Sequence, residues 1–327
     1  MNQNANKKIR NENIKAVFRA IAEEKCCTRR DISDHTGISQ VTVGKIVEDL
    51  LDAGIFLEKE SLSKHVGRHG RHLSIDKSRN IVSVDLSGEN FSFSVYDLSM
   101  DRVCFIEEEY MEDLTCTEAI CRFLHRVKSF MIRESERDRR FMALGIVVPG
   151  EYDVNNDVIR GVVPRSFEGI KVRDFVRSMV GMIPDCVIDR TEASLKYCAE
   201  ERGQDGNTLY IHISEGLDVR LVVGGKAVKR SGYIVDRIEG ADNIRATAEL
   251  TALTMMNAVG VDCVVITADI PSDAIAVKER LISRLLKDTS NSKIPEINAI
   301  LSHDCACIGM ASMLRWQLIE RRIKRLL

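Results

Sequence analysis

Residues 28–55 read TRRDISDHTGISQVTVGKIVEDLLDAGI and decide the fold of the N-terminal part of this chain. The stretch predicts two short helices joined by a tight turn. Thr28 is a suitable N-cap, and Asp31, three residues later, can complete a capping box. Gly37 supplies the permissive backbone that a sharp reversal needs. Ser39 can cap the second helix, whose apolar residues recur at helical spacing and therefore face a core: Val43, Ile46, Val47 and Leu50.

This layout is typical of a helix-turn-helix, in which the second helix enters the major groove of DNA with its N-terminal residues leading. A plain helical hairpin inside a larger core is the alternative. The residues that follow favour the first interpretation, because residues 56–60 and 72–75 predict two strands around a basic tip. Such a strand pair is a wing, and a helix over 13–24 would complete a three-helix winged domain.

The exposed end of the second helix and the wing supply the candidate DNA contacts. Side chains near the start of the helix are placed to reach base edges, and basic side chains there and on the wing are placed to hold phosphates. The predicted DNA-binding residues are Ser39, Gln40, Val41, Thr42, Lys45, Lys64, Arg68 and Arg71.

Charge supports this division of the chain without proving it. Residues 1–75 hold 13 Lys and Arg against 10 Asp and Glu, a net charge of +3, and the remaining residues carry a net charge of −5. A mildly basic module on an acidic body suits DNA binding. The ten cysteines are irregularly spaced and no secretory signal precedes them, so we expect reduced thiols and a cytoplasmic location. Residues 1–13 are polar and basic, and we expect a frayed tail.

The rest of the chain predicts an α/β body of two lobes. Strands over 81–86, 91–96 and 103–109 precede a helix over 117–133 and a buried strand over 143–148. A second strand group at 208–213 and 219–223 is again followed by helices. We expect domain 1–76 to be the winged helix-turn-helix and domain 77–327 to be the body, with lobes at about 77–189 and 190–327. At 327 residues the chain is long enough for more than one core.

Six segments together resemble the ROK family (repressors, open reading frames, kinases), and in particular its regulatory branch of xylose and N-acetylglucosamine repressors. They run in family order: DHTGISQVTVGKIVEDLLDAGI with the wing GRHGRHLSI, then VDLSGEN, GIVVPGEYD, VIDRTEASLKYCAEE and TLYIHISEGLDVRLVVGGKAVKRSG. The resemblance implies a winged helix-turn-helix joined to a sugar-kinase-like body of the actin and hexokinase (ribonuclease H-like) fold. It covers about residues 12–232.

The departures from the family pattern bear on function. In family kinases, glycine-rich hairpins cradle ATP phosphate, whereas the corresponding loops here, 85–90 and 214–218, carry carboxylates. The family's catalytic base is the aspartate of an Asn-Asp pair, and here the pair reads Asp189-Arg190. Arginine stays protonated and cannot accept the proton of a sugar hydroxyl. The family's zinc loop is also missing.

The candidate ligand pocket is therefore Asp189, Arg190 and Glu192, and two outcomes stay open. Arg190 can fold back onto Asp189 or Glu192 and close the cleft, or it can stay available for an anionic ligand such as a sugar phosphate or sugar acid. The neighbouring carboxylates favour the closed form.

We accordingly expect a DNA-binding transcriptional regulator, a repressor of carbohydrate-related genes, with no enzymatic activity. Its expected partners are a double-stranded operator, a sugar or sugar-derived effector and a second copy of the chain, with no membrane and no cofactor. A ROK sugar kinase with an atypical nucleotide site is one alternative, and a regulator whose body binds a protein is another. Cys305 and Cys307 with His303 would give only three ligands, so we predict no metal site.

Overall fold

The computed structural model describes residues 2–23, 25–60, 71–88, 90–109, 116–160, 169–202, 206–214, 216–223, 226–228, 233–235, 238–287, 294–300 and 305–324. Among the described helices, none is both long enough and apolar enough to cross a membrane.

The N-terminal unit consists of three helices followed by an antiparallel strand pair, the element order of a winged helix-turn-helix. Its elements are α1 (Asn2–Ala22), α2 (Arg29–Thr36), α3 (Gln40–Asp52), β1 (Phe56–Glu60) and β2 (Arg71–Ile75). The predicted caps form: Thr28 and Asp31 make a capping box, and the Ser39 side chain accepts a hydrogen bond from the amide of Thr42. Gly37 has φ of 70°, in the left-handed region that a side chain disfavours.

Helix α1 corrects one expectation. The segment that the sequence suggested as a frayed tail forms the first turns of α1, which begins at Asn2. Polar residues do not oppose helix formation when the segment continues an amphipathic helix. Arg10 also fixes this part of α1 to α3 through an ion pair with Asp49, with 2.9 Å between nitrogen and oxygen.

The body has the predicted α/β class and two lobes. The first lobe has a sheet of strand order β5-β4-β3-β6-β9, in which β3, β4 and β5 are antiparallel and β6 and β9 run parallel to β3. Its elements are β3 (Arg79–Asp85), β4 (Asn90–Asp97), β5 (Arg102–Glu109), α4 (Cys116–Ser135), β6 (Arg140–Val148), β7 (Glu151–Asp153), β8 (Val158–Arg160), α5 (Val172–Val180) and β9 (Cys186–Asp189).

The second lobe repeats this plan after the connecting helix α6 (Arg190–Arg202). Its sheet has the order β12-β11-β10-β14-β15, with β13 also paired to β11. Here too an antiparallel hairpin is followed by parallel strands. The elements are β10 (Asn207–Ile213), β11 (Leu217–Val223), β12 (Lys226–Ala227), β13 (Tyr233–Val235), α7 (Ala241–Val259), β14 (Cys263–Ala268), α8 (Pro271–Lys287) and β15 (Glu296–Ile300).

Helix α9 (Cys305–Lys324) closes the described chain and returns to the first lobe. It packs on the first sheet so closely that a methyl group on Gly145 of β6 would lie 2.4 Å from Met310. Its other neighbour is α6, where a methyl group on Gly309 would lie 1.9 Å from the carbonyl oxygen of Ala193. At Gly309 the close neighbour is backbone, so only glycine permits the crossing there.

Helix α9 also packs against the N-terminal unit. Trp316 meets Phe18 of α1 edge to face, with ring centroids 5.4 Å apart, and Phe18 in turn stacks on Phe56. Buried residues of α1, α2 and α3 therefore share one hydrophobic cluster with α9 and with the face of the first sheet beneath it. At the junction, the half-buried Arg79 and Asp76 form an ion pair of 3.0 Å. The domain boundary at residue 76 remains a prediction, although the two sides of it are packed together.

We predict that Gly309→Ala destabilises the protein by about 1–3 kcal/mol or more, because the added methyl group overlaps the backbone of α6. Urea unfolding of the whole chain measures the effect. Gly44→Ala is the matched control, since a methyl group at this helical position meets nothing within 4 Å. The control should be about 1 kcal/mol more stable than the wild type. A Gly309→Ala protein as stable as the wild type would contradict the close crossing of α6 and α9.

Candidate functional site

The N-terminal end of α3 presents a continuous exposed surface. Val41 is 85% exposed, and Ser39, Gln40 and Lys45 are also exposed. The opposite side of the helix is buried, as its apolar spacing predicted. These exposed side chains can therefore meet a large partner without any rearrangement of the core.

Thr42 differs from its neighbours. It is half-buried, and its hydroxyl lies 2.9 Å from the hydroxyl of Ser39, with which it shares a hydrogen bond. Both residues take part in the cap of α3. A base contact by Thr42 would therefore compete with its hydrogen bond to Ser39. The structure describes no such hydrogen bond for the side chain of Gln40.

The wing strands place Arg71 beside α2. The Arg71 guanidinium donates to Glu58 of β1 at 3.0 Å, and Arg29 of α2 forms an ion pair with the same carboxylate. The hydrogen bond from Arg29 is the main reason that the pKa of Glu58 is lowered. Two arginines share one carboxylate, so the cluster keeps a net positive charge. Lys64 and Arg68 lie outside the described residues.

A second cluster of charges lies between the two lobes, where α6 begins. Arg190 donates to Asp269 at the end of β14, with 2.9 Å between nitrogen and oxygen. Arg190 directly follows β9 of the first sheet, whereas Asp269 follows β14 of the second sheet, so this ion pair joins the two lobes. The expectation of a partner at Asp189 or Glu192 was wrong. The reason is geometric. The carboxylate of Asp189 accepts a hydrogen bond from the backbone amide of Glu192 at 2.8 Å and thereby caps the start of α6.

The electrostatics of this pair favour its charged form. Burial opposes the charge of Arg190, but Asp85 and Asp269 outweigh burial and raise its pKa. Burial likewise opposes the charge of Asp269, but a hydrogen bond from His212 and the charge of Arg190 lower its pKa. The ring of His212 is held in turn by Thr267, whose hydroxyl is 2.9 Å from Nδ1.

A second ion pair crosses between the lobes beside the first. Asp189, at the end of β9, lies 3.7 Å from Arg220 of β11, which also donates to Asp218 at 3.2 Å. Thr191 donates to the other oxygen of Asp218. Burial raises the pKa of Asp189 despite the nearby arginine. We call these two cross-lobe ion pairs, Arg190–Asp269 and Asp189–Arg220, the latch.

The latch leaves only a small cleft of about 150 Å³. Pockets for small organic ligands usually measure about 300–1,000 Å³. Among the described residues, the carboxylates of Glu151, Asp189, Asp218 and Asp269 line the cleft together with the guanidinium groups of Arg190 and Arg220. The geometry corresponds to the closed form of the two alternatives, and the excess of carboxylates disfavours an anionic ligand.

The chemistry that these residues can perform is limited. A general base has to accept a proton near neutral pH, and Arg190 cannot. In the first loop, Asp85 accepts hydrogen bonds from the amide and hydroxyl of Ser87, so a carboxylate occupies the turn. Glu89 and Glu215 of the two acidic loops lie outside the described residues. Among the described residues no group of three or more His, Cys, Asp or Glu could hold a metal ion.

The sequence missed three members of the cluster: Arg220, Asp269 and His212. Asp269 could have been found, because it directly follows a buried apolar strand, and polar residues after parallel strands meet at one edge of a sheet. Arg220 alternates with apolar residues in β11, which is the ordinary pattern of a half-exposed strand, and His212 is a polar residue between two isoleucines of the buried strand β10. No local sequence pattern therefore identified Arg220 or His212 as a site residue.

Comparisons with known proteins place this geometry in a family context. No family model matches the chain. The DNA-binding transcriptional repressor Mlc of Escherichia coli strain K12 is 26% identical over 157 residues, 46% of this chain. In that match the chain spans 37% of the length of the repressor.

Solved structures match over more of the chain. A ROK family transcriptional regulator, described as a homologue of the E. coli Mlc protein, has a TM-score of 0.66 at 12% identity and covers 97% of this chain and 98% of its own. An inorganic polyphosphate/ATP-glucomannokinase from Arthrobacter sp. strain KM has a TM-score of 0.54 at 14% identity, covering 73% of this chain and 99% of its own. These comparisons confirm the resemblance to ROK regulators and the two-lobed fold.

We predict that the latch shows energetic coupling in a double-mutant cycle of Arg190→Met and Asp269→Asn. Removal of one partner of a buried ion pair destabilises a protein by about 3–5 kcal/mol. We expect the lower end of this range, because both side chains keep some contact with solvent. The double variant should lose less stability than the two single variants together, as measured by urea unfolding.

The exposed pair Lys77–Asp101, at 2.8 Å, is the control for this cycle. Its coupling energy should be about 0–1 kcal/mol. Equal coupling in the two cycles would show that the latch is no stronger than a surface ion pair.

Proposed function

We propose that this chain, which is related to ROK-family transcriptional regulators in sequence and shares their fold, is a sequence-specific DNA-binding repressor. The observation that carries the proposal is the exposed end of α3, where Ser39, Gln40 and Val41 stand clear of the core on a capped helix. In a helix-turn-helix this is the end of the second helix that reads base edges. The E. coli relative Mlc is a DNA-binding transcriptional repressor, and this similarity supports the same function.

The proposed DNA complex follows from these positions. Gln40 contacts a base edge through its amide group, and Val41 packs against a thymine methyl group. Lys45, Lys64, Arg68 and Arg71 hold phosphates, which fixes the register without reading sequence. The protein acts as a homodimer that reads two half-sites related by two-fold symmetry. It acts in the cytoplasm and represses genes of carbohydrate use.

The body is proposed to have lost phosphoryl transfer. ROK kinases share the fold, so the fold alone does not separate kinase from regulator. The separating feature is Arg190 at the position that the resemblance assigns to the catalytic base. The carboxylates that the sequence places in the two loops, Glu89, Glu215 and Asp218, further disfavour a bound phosphate.

The latch suggests how the body acts as a sensor. A sugar or sugar derivative can enter the cleft only when the lobes separate, which breaks Arg190–Asp269 and Asp189–Arg220. Arg190 is also the first residue of α6, and α6 packs on α9 at Gly309. Because α9 carries Trp316 and through it α1, an opening of the cleft would move the DNA-binding unit. A body that binds a protein partner would act through the same helices.

We predict that Gln40→Ala relaxes sequence preference at one base pair of each half-site by about 1–3 kcal/mol, because a bidentate contact to a base is lost. Binding of the selected operator and of its single-base variants, measured at one salt concentration, gives the effect. Glu48→Ala, an exposed change further along α3, is the control and should keep the wild-type preference. An unchanged preference in Gln40→Ala would remove Gln40 from the reading surface.

We predict that the protein does not phosphorylate sugars and binds Mg-ATP weakly or not at all. Calorimetry with Mg-ATP and a panel of hexoses tests both parts of this expectation. Turnover above background, or submillimolar binding of ATP, would favour the alternative of a sugar kinase with an unusual nucleotide site. Arg190→Asp restores a carboxylate at the base position. The same calorimetry on this variant shows whether Arg190 is the residue that prevents phosphoryl transfer.

A further inference from the structure

A groove of about 370 Å³ runs between α1 and α3, next to the exposed end of α3. The first turns of α1 form one wall and the reading helix forms the other. The lining residues are Asn6, Ile9, Arg10, Asn13, Val41, Thr42, Lys45, Ile46 and Asp49. The groove exists because α1 begins at Asn2, well before the segment that packs on the core.

The groove has the chemistry of a site for a polyanion. Amide, hydroxyl, ammonium and guanidinium donors line it from both walls, in Asn6, Asn13, Thr42, Lys45 and Arg10. Asp49 supplies its one described carboxylate, and Arg10 neutralises that carboxylate at 2.9 Å.

Two further cations lie on the turn of α1 that also supplies Asn6 and Ile9 to the groove. Lys7 and Lys8 of α1 are both exposed. Lys8 has Glu12 within 3.9 Å, but both of those side chains are largely exposed, so the pair is weak. Together with Lys45 on the opposite wall, these lysines give the surface around the groove a positive charge that continues the reading face.

We propose that this groove binds the sugar-phosphate backbone of one DNA strand beside the base pairs that α3 reads, with Lys7, Lys8 and Arg10 contacting its phosphates. The inference rests on the proposed DNA-binding function and adds α1 to the interface. Ile9, 55% exposed, and Val41 then supply the apolar contacts that deoxyribose and a thymine methyl group accept. Asp49 holds Arg10 in place and, as a carboxylate near phosphates, lowers the affinity.

The assignment to a DNA backbone, in preference to a peptide, follows from continuity and charge. Val41, Thr42 and Lys45 belong both to the groove and to the predicted DNA-reading set. A duplex that contacts these residues of α3 is therefore also next to α1, which forms the other wall of the groove. The resulting contacts are to phosphates, so they raise affinity for every sequence alike.

The test measures binding of a fluorescent duplex over a range of salt concentrations, once with a selected operator and once with a random-sequence duplex. For Lys7→Gln/Lys8→Gln we expect weaker binding to both duplexes and a salt slope smaller by about 1.8, because each lost phosphate contact removes about 0.9 from the slope. The preference for the operator over the random duplex should not change. Lys287→Gln, an exposed lysine of α8 on the second lobe, is the control for a lost positive charge.

Two variants of the ion pair separate charge from structure. Arg10→Gln and Asp49→Asn both break the contact between α1 and α3, so a purely structural role predicts the same change in both. The proposal predicts opposite changes: weaker DNA binding for Arg10→Gln and tighter binding for Asp49→Asn. Far-ultraviolet circular dichroism checks that α1 remains helical in each.

The outcomes distinguish this inference from the function on which it rests. If the wild type binds the operator while Lys7→Gln/Lys8→Gln keeps the affinity and salt slope of Lys287→Gln, the groove is not a backbone site. Arg10→Gln and Asp49→Asn shifting in the same direction would also overturn it. If the wild type prefers no duplex and shows no salt-dependent binding, the proposed DNA-binding function fails and this inference fails with it.

Discussion

The close crossing of α6 and α9 is the constraint on which the arrangement of the molecule depends. At Gly309 the two backbones approach within a distance that excludes even a methyl group. A crossing this close leaves little freedom for one helix to tilt without the other, because packed helices are incompressible at van der Waals distance. The start of α6 lies in the cleft, and α9 holds the first sheet on one side and the N-terminal unit on the other. Under the proposed function, a movement at the cleft would reach the N-terminal unit through these two helices.

The cleft itself illustrates how one substitution reverses the chemistry of a site. The resemblance assigns a catalytic aspartate to the position of Arg190. A guanidinium at this point between the lobes requires a carboxylate, and Asp269 of the other lobe supplies it at 2.9 Å. The lobes are thus joined by a charge pair where a kinase needs an open base. This difference at one position underlies the proposal that the body senses a ligand and does not transfer phosphate.

Much of the fold could be predicted from local patterns, and the exceptions have physical reasons. The caps at Thr28 and Ser39 and the left-handed Gly37 are local features, and all three form as expected. The start of α1 was not expected, because its residues are polar and its ion pair from Arg10 to Asp49 of α3 is a tertiary contact that no local pattern shows. Short strands such as β7 and β15 carry too few residues to show a period, and their pairing with neighbours decides them.

The sites divide in the same way. The exposed face of α3 follows from helical spacing, which fixes the direction of each side chain once the buried face is known. The partner of Arg190 does not follow from spacing, because Asp269 is 79 positions further along the chain and only the packing of the two lobes brings them together. A buried guanidinium needs a carboxylate partner, and Asp269 fills this role in place of the neighbouring Asp189 or Glu192.

The most direct test of the central claim is a selection of duplexes that bind the full-length protein from a random-sequence pool, followed by affinity measurements at physiological salt. A sequence-specific regulator of this kind should enrich a site with two-fold symmetry and bind it at least about 10³-fold more tightly than random DNA. A pool that stays unenriched, with equal affinity for every duplex, would contradict the account.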